Sequence, residues 1–78
     1  MAEQKIKQDT IQIGKNIRET RLKAKVGQTE LVRLIQLSGV SITRETLVKI
    51  ERGIQHIQAS QLRAIKNALN KTYDELLK

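Results

Sequence analysis

The stretch QTELVRLIQLSGVSITRETLVKIERG at residues 28–53 decides the fold of this 78-residue chain. Apolar residues recur in its first part at three- and four-residue steps, the spacing of one face of a helix. They predict helix 2 over about residues 28–37, and the glycine-containing run at 38–42 predicts the turn that follows. The apolar residues that we expect to face inward from helix 2 are Leu31, Leu34 and Ile35.

The second part of the stretch predicts helix 3 over about residues 44–52. Leu47 and Ile50, which lie three residues apart, mark its buried face. Thr43 is a suitable N-cap in front of the helix, and Gly53 suits the left-handed residue that ends many helices. Together the two parts predict a pair of helices joined by a short turn.

The outward face of helix 3 carries residues that suit the edges of base pairs. In a helix-turn-helix the second helix lies in the major groove. There Arg44 could donate to guanine O6 and N7, Glu45 could accept from the cytosine amino group, and Val48 could contact a thymine methyl group. Lys49 could reach a guanine or a phosphate. Because Glu45 and Lys49 lie four residues apart, a surface salt bridge between them is an equally open interpretation, with Arg44 solvated.

The start of helix 2 predicts a position for a phosphate. Gly27 leaves backbone N–H groups exposed at the positive end of the helix, and Gln28 adds a side-chain amide beside them. The alternative is that Gly27 only ends the turn after the preceding helix.

A further helix precedes this pair. Apolar spacing predicts helix 1 over about residues 10–25, with Asp9 or Thr10 as its N-cap. We expect residues 1–9 to form a tail or a helix extension. Residues 10–78 then make up a single helix-turn-helix domain, as the short chain suggests.

Two shorter helices follow the pair. Ser60 is the expected N-cap of helix 4, over about residues 61–69, and Asn70 can serve as the left-handed residue after it. Thr72 and Glu75 have the spacing of a capping box that opens a short helix 5. The predicted fold is therefore all-α, with five helices and no strands.

The composition narrows the class of partner. The chain has 15 Lys and Arg against 8 Asp and Glu, and its formal net charge of +7 favours an anionic partner. Its one aromatic residue is Tyr73, whereas proteins usually bind single strands, RNA and membrane surfaces with the help of aromatic rings. Double-stranded DNA is read from its base edges and needs no such rings, so it is the favoured partner. A basic domain with solvated lysines is the alternative.

The composition also argues against catalysis. The chain has no Cys, one His and no glycine-rich phosphate loop, so we expect neither an enzyme nor a cofactor or metal site. No apolar run approaches the roughly 18 residues of a membrane span, and no secretory segment is visible. We therefore expect a cytoplasmic protein without a membrane partner.

Several segments, in this order and spacing, resemble the phage-repressor-like (Xre or Cro type) helix-turn-helix family. The resemblance extends over residues 13–77, and its most specific part is the run IERG at 50–53, about 20 residues after QTEL at 28–31. Between these two parts the chain is several residues longer than the shortest members of the family. The other matching segments are IGKNIRETR at 13–21 and YDELL at 73–77.

This resemblance implies a lambda-repressor-like DNA-binding domain with defined roles for its residues. Arg21 of helix 1 is expected to pair with Glu51 of helix 3, with the arginine end near a phosphate. The residues that the resemblance places against the bases are Thr43, Arg44, Glu45 and Lys49, to which the outward face of helix 3 adds Val48. The predicted phosphate contacts are Gln28, Arg18, Arg21, Arg52, Gln55 and His56, the last two in a loop that would offer mainly backbone N–H groups.

The expected function is that of a sequence-specific regulator of transcription that binds double-stranded DNA, most simply a repressor. The family usually binds near-palindromic sites as two-fold pairs, so a homodimer is possible. Candidates for its contact surface are Leu22, Val32 and residues 76–78. The main alternative is a protein-interaction module on the same fold, such as an antitoxin, which a large exposed apolar patch away from helix 3 would favour.

Overall fold

The computed structural model describes residues 5–6 and 12–77. Its helices confirm the predicted all-α, five-helix class. The expectation of no strands is wrong in one detail, because two residues near the N-terminus pair with two residues in front of the fourth helix in an antiparallel ribbon. The elements are β1 (Lys5–Ile6), α1 (Ile13–Lys23), α2 (Gln28–Leu37), α3 (Arg44–Glu51), β2 (Ile57–Gln58), α4 (Ala59–Ala68) and α5 (Tyr73–Leu76).

Three of the described helices, α3, α4 and α5, begin at residues whose side chains satisfy free backbone N–H groups, and two of the predicted caps are misplaced. As predicted, the Thr43 hydroxyl accepts from the N–H of Thr46 at the start of α3, and the Thr72–Glu75 capping box opens α5. Ser60, by contrast, lies inside α4, whose N-cap is Gln58. Helix α1 begins after Gln12, whereas the predicted caps Asp9 and Thr10 lie outside the described residues.

Four helices end in the same way, on a residue with left-handed backbone. After each cap, backbone N–H groups return to carbonyls of the last turn, which satisfies carbonyls that would otherwise be unpaired. Gly53 and Asn70 were predicted in this role. The residues and their φ angles are Lys25 at 59°, Gly39 at 91°, Gly53 at 77° and Asn70 at 55°.

An aliphatic core joins all five helices, and it corrects part of the predicted inward face of α2. Val32, at 8% exposure, lies in the core, whereas Leu34 is 38% exposed and Leu37 is 74% exposed. Leu76 of α5 is also fully buried, and its carbonyl accepts from the Asn16 side chain at 2.9 Å. The fully buried large side chains are Ile13, Ile17, Leu31, Ile35, Leu47, Ile50, Ile57, Ile65 and Leu76.

The turn between α2 and α3 is anchored in spite of its length. Ile42, just before α3, is 4% exposed and packs in the core. Its carbonyl accepts a hydrogen bond from the Gln36 amide of α2 at 2.8 Å, and the Ser38 hydroxyl donates to the Ile35 carbonyl at 2.6 Å. The end of one helix and the start of the next are therefore connected by both packing and hydrogen bonding.

Within residues 12–77, no helix is both long and apolar enough to cross a membrane.

Candidate nucleic-acid interface

Helix α3 is oriented by three inward-facing residues. Leu47 and Ile50 are fully buried, and Glu51 at the end of the helix is 6% exposed. This fixes which side of the helix faces outward. The predicted base-reading residues on the outward side are Thr43, Arg44, Glu45 and Lys49, which are exposed, and Val48, which is half-buried.

Glu45 and Lys49 form the surface ion pair that the sequence predicted as an alternative to contacts with bases. The Lys49 ammonium lies 3.3 Å from a carboxylate oxygen of Glu45, one turn earlier on α3. The two side chains are 46% and 79% exposed, so solvent screens the pair and its contribution to stability is small. Both residues stay on the surface. Because the pair is so exposed, either side chain can exchange its present partner for another polar group.

The predicted pair between α1 and α3 is present and buried. Arg21 Nε donates to Glu51 Oε2 at 2.8 Å, and Arg21 Nη2 donates to Glu51 Oε1 at 3.0 Å. This two-point geometry holds a guanidinium and a carboxylate in one plane. Arg21 Nη1 also donates to the carbonyl of Val26 at 3.0 Å, just in front of α2.

Gln28 joins this pair, which the sequence did not indicate. Its Nε2 donates to Glu51 Oε1 at 3.1 Å, so one carboxylate is held by the end of α1 and the start of α2. Gln28 is half-buried, and its side chain is thus fixed beside the free N–H groups at the start of α2. The sequence predicted a role for Gln28 and a role for Glu51, but it did not predict that the two side chains are hydrogen-bonded to each other.

The burial of Arg21 bears on its second predicted role. The residue is 6% exposed, and three of its nitrogens already donate within the protein. Only an edge of the guanidinium is left for a phosphate. The structure thus supports the pairing role directly, and the phosphate contact of Arg21 stays a prediction.

The other predicted phosphate residues lie on three separate elements. Arg18 is exposed on α1, His56 is exposed in the loop before β2, and Gln55 beside it is half-buried. Arg52, exposed after α3, lines a shallow depression together with Lys15 and Gln12 of the α1 region. Lys15 was not predicted as a contact, although its outward position on helix 1 is consistent with one.

The structure defines the class as an all-α, five-helix helix-turn-helix domain. The crystal structure of the clp gene regulator ClgR from C. glutamicum is similar to this chain, with a TM-score of 0.74 and 21% sequence identity over 85% of this chain and 78% of that chain. No protein-family model and no curated protein matches the sequence. The likeness shows the fold, and the resemblance to the phage-repressor-like family stays a prediction from the residues quoted above.

Proposed function

We propose that this protein is a transcriptional regulator that binds specific sequences of double-stranded DNA, most simply as a repressor. The observation that carries the proposal is the orientation of α3. Burial of Leu47 and Ile50 turns the charged side chains outward, in a fold similar to that of a gene regulator. Helix α3 enters the major groove, where Thr43, Arg44, Glu45, Val48 and Lys49 meet the base edges.

The cluster of Arg21, Glu51 and Gln28 keeps α3 in place for this task. Because these side chains connect the end of α1, the start of α2 and the end of α3, the orientation of α3 is set before DNA arrives. A binding surface that is already ordered loses less conformational entropy on association. In this proposal the Gln28 amide, which the same cluster holds at the start of α2, lies next to a phosphate of the duplex.

The Glu45–Lys49 pair contributes selectivity in this proposal. Because the pair is exposed and therefore weak, Lys49 can leave Glu45 and bind a base edge at little cost in free energy. The Glu45 carboxylate, in turn, repels phosphates and disfavours complexes in which α3 is out of register. Glu45 therefore reduces non-specific affinity more than specific affinity.

Contacts with the sugar–phosphate backbone of the DNA supply the remaining affinity. The net charge of +7 attracts the duplex, and contacts from Arg18, Arg52, Gln55 and His56 position the domain on its phosphates. We propose binding without catalysis, cofactor or membrane partner, in the cytoplasm.

A homodimer on a near-palindromic site is part of the proposal, but Val32 and Leu76 are core residues and cannot form its surface. Leu22, at 49% exposure, is still available, and Leu77 packs partly against the core.

Binding should be tested by fluorescence anisotropy with labelled duplexes from the region upstream of the protein's own gene. A scrambled duplex of the same length and composition is the control, and both are titrated at two salt concentrations. Tighter binding to one upstream duplex, with affinity falling steeply as salt rises, supports the proposal. Equal affinity for upstream and scrambled duplexes, or no binding at low salt, contradicts it.

The alternative function, a protein-interaction module, has one observation in its favour. Leu37 is 74% exposed and Leu34 is 38% exposed on α2. If no duplex binds specifically while a protein partner binds near these residues, the alternative replaces the leading proposal.

A further inference from the structure

The shallow depression between the start of α1 and the end of α3 contains two cations from different helices. Its lining residues are Gln12, Lys15, Glu51, Arg52 and Gly53. Lys15 is in the first turn of α1, and Arg52 is the C-cap of α3. Both side chains are exposed, and neither forms an ion pair with another residue of the described ranges 5–6 and 12–77. The depression therefore has two positive charges that no described carboxylate neutralises.

The carboxylate of Glu51 also lines this depression, but its charge is already compensated. The side chain is 2% exposed, and both of its oxygens accept hydrogen bonds from Arg21, with a third bond from Gln28. Because the Arg21 charge lies directly beside it, the carboxylate repels an anion in the depression much less than an unpaired carboxylate would. The exposed cations therefore dominate the charge that an incoming anion meets.

The position of Lys15 is unfavourable for the helix that carries it. The start of a helix has a partial positive charge, so acidic residues stabilise the first turn and a lysine there is repelled. Helix α1 has no acidic residue in its first turn, and the side chain of its N-cap Gln12 makes no capping hydrogen bond. Local helix chemistry therefore does not explain Lys15, whereas an anion bound beside it would offset the repulsion.

The depression adjoins residues that already belong to the proposed DNA interface. Arg52 is one of the predicted phosphate contacts. Arg18, another of them, is exposed and lies three residues after Lys15 on α1, so the two side chains are neighbours on the helix surface. The anion that suits this position is therefore a phosphate of the same duplex.

We propose that this depression binds one phosphate of the DNA backbone between Lys15 and Arg52, which adds Lys15 to the interface. The inference rests on the proposed binding of double-stranded DNA. It does not depend on the sequence that α3 reads, because every nucleotide carries a phosphate. The contact attaches the domain to the backbone at the end of α3 opposite to Arg44.

The first test measures how the affinity of Lys15→Gln for DNA depends on salt. Fluorescence anisotropy is recorded with the preferred and the scrambled duplex over a range of salt concentrations. We expect both affinities to fall by roughly fivefold at low salt, and the slope of log K against log salt to become shallower by about 1. Lys15→Arg keeps the charge and should keep both the affinity and the slope.

Lys23→Gln is the matched control. It removes an exposed lysine from the other end of α1, in a depression that residues of α1 share with the α5 region, and should leave the affinity and the slope unchanged. Thermal unfolding separates binding from folding, because Lys15→Gln removes a cation from the start of a helix and should melt at or slightly above the temperature of the unaltered chain.

A second test asks whether both cations bind the same phosphate. Methylphosphonate groups remove the charge of one phosphate of the preferred duplex at a time. We expect a position at which this replacement weakens the unaltered chain by roughly fivefold but has a much smaller effect on Lys15→Gln and on Arg52→Gln.

The outcomes distinguish this inference from the proposed regulation of transcription. Equal affinity for the preferred and scrambled duplexes contradicts sequence-specific regulation, while a shallower salt slope in Lys15→Gln still supports the phosphate site. The phosphate site is overturned if Lys15→Gln keeps the slope of the unaltered chain on both duplexes, if Lys23→Gln changes it equally, or if the two variants lose different phosphates. If no duplex binds at low salt, both proposals fail.

Discussion

At the scale of single residues, the decisive feature is the carboxylate of Glu51. It lies in the interior, where an ionised group is stable only if hydrogen bonds replace its water. Arg21 and Gln28 supply three such bonds. We infer that the cluster specifies how α3 sits on the other helices more than it adds to net stability, because the cost of desolvation offsets much of the attraction.

Glu51→Ala should lower the free energy of unfolding by about 3 kcal/mol, because it leaves the Arg21 guanidinium buried without a counter-charge. Urea denaturation followed by circular dichroism measures the change. Glu45→Ala is the matched control, since it removes an equally acidic residue from an exposed ion pair and should cost less than about 1 kcal/mol. Equal effects of the two substitutions would contradict the structural role of the Arg21–Glu51 pair.

A substitution at Lys25 is expected to raise the stability of the protein rather than lower it. Its φ of 59° is left-handed, a conformation that costs a residue with a Cβ about 1 kcal/mol and costs Gly nothing. Lys25→Gly should therefore stabilise the protein by about 0.5 kcal/mol, after allowance for the greater freedom of Gly in the unfolded chain. Glu19→Gly, at an exposed position in the middle of α1, should instead destabilise it by about 1 kcal/mol. Thermal unfolding of both variants gives the answer, and a loss of stability in Lys25→Gly would show that this account of the turn is wrong.

The sequence predicted individual residues well where a local rule applied. Thr43 and Gly53 were identified because a helix start and a helix end have their own chemistry. The Arg21–Glu51 pair came from the family resemblance alone, since its members are 30 residues apart. The Gln28–Glu51 hydrogen bond was not predicted, because no local rule relates two residues from different helices.

At the scale of elements, the turn at residues 38–42 decides where α3 begins. This part of the chain is several residues longer than in the shortest members of the family that it resembles, and Ile42 and Gln36 hold α3 in place in spite of that length. The side chain of Ile42 fills a site in the core, and its carbonyl is held by Gln36. The turn is thus anchored at the residue before the N-cap of α3.

Ile42→Ala should lower the free energy of unfolding by about 2–4 kcal/mol, because it removes buried methyl groups and leaves a cavity. Ile54→Ala is the matched control: Ile54 is 63% exposed, and its loss should change stability by less than about 0.5 kcal/mol. Chemical denaturation compares the two variants. If both lose the same stability, Ile42 does not anchor the turn.

Sequence periodicity predicted the five helices, but it did not predict which face of α2 is buried or that a short ribbon forms. Helix α2 occupies the predicted residues, but Leu34 and Leu37 are exposed while Val32 is buried. The apolar spacing of α2 allows more than one inward face, and only the positions of α3 and α4 select between them. The β1–β2 ribbon was missed because two-residue strands have no periodic pattern to detect.

At the scale of the whole molecule, the structure separates two surfaces with different chemistry. One contains the exposed charged face of α3 and the start of α2, and suits a duplex. The other is the groove between the end of α2 and α4, in which Arg63 is the one charged residue among the described lining residues. Both are held by the same aliphatic core, so a substitution on one surface should leave the other intact.

The most direct test of the central claim compares Arg44→Ala with Arg63→Ala in DNA binding. Both substitutions remove an exposed arginine, but only Arg44 lies on α3. We predict that Arg44→Ala weakens binding to the preferred duplex by about 1–3 kcal/mol and affects a scrambled duplex much less, as expected for a residue that contacts bases. Arg63→Ala should bind both duplexes as the unaltered chain does. If the two variants lose the same affinity, or if Arg44→Ala keeps full specificity, α3 is not the helix that reads DNA.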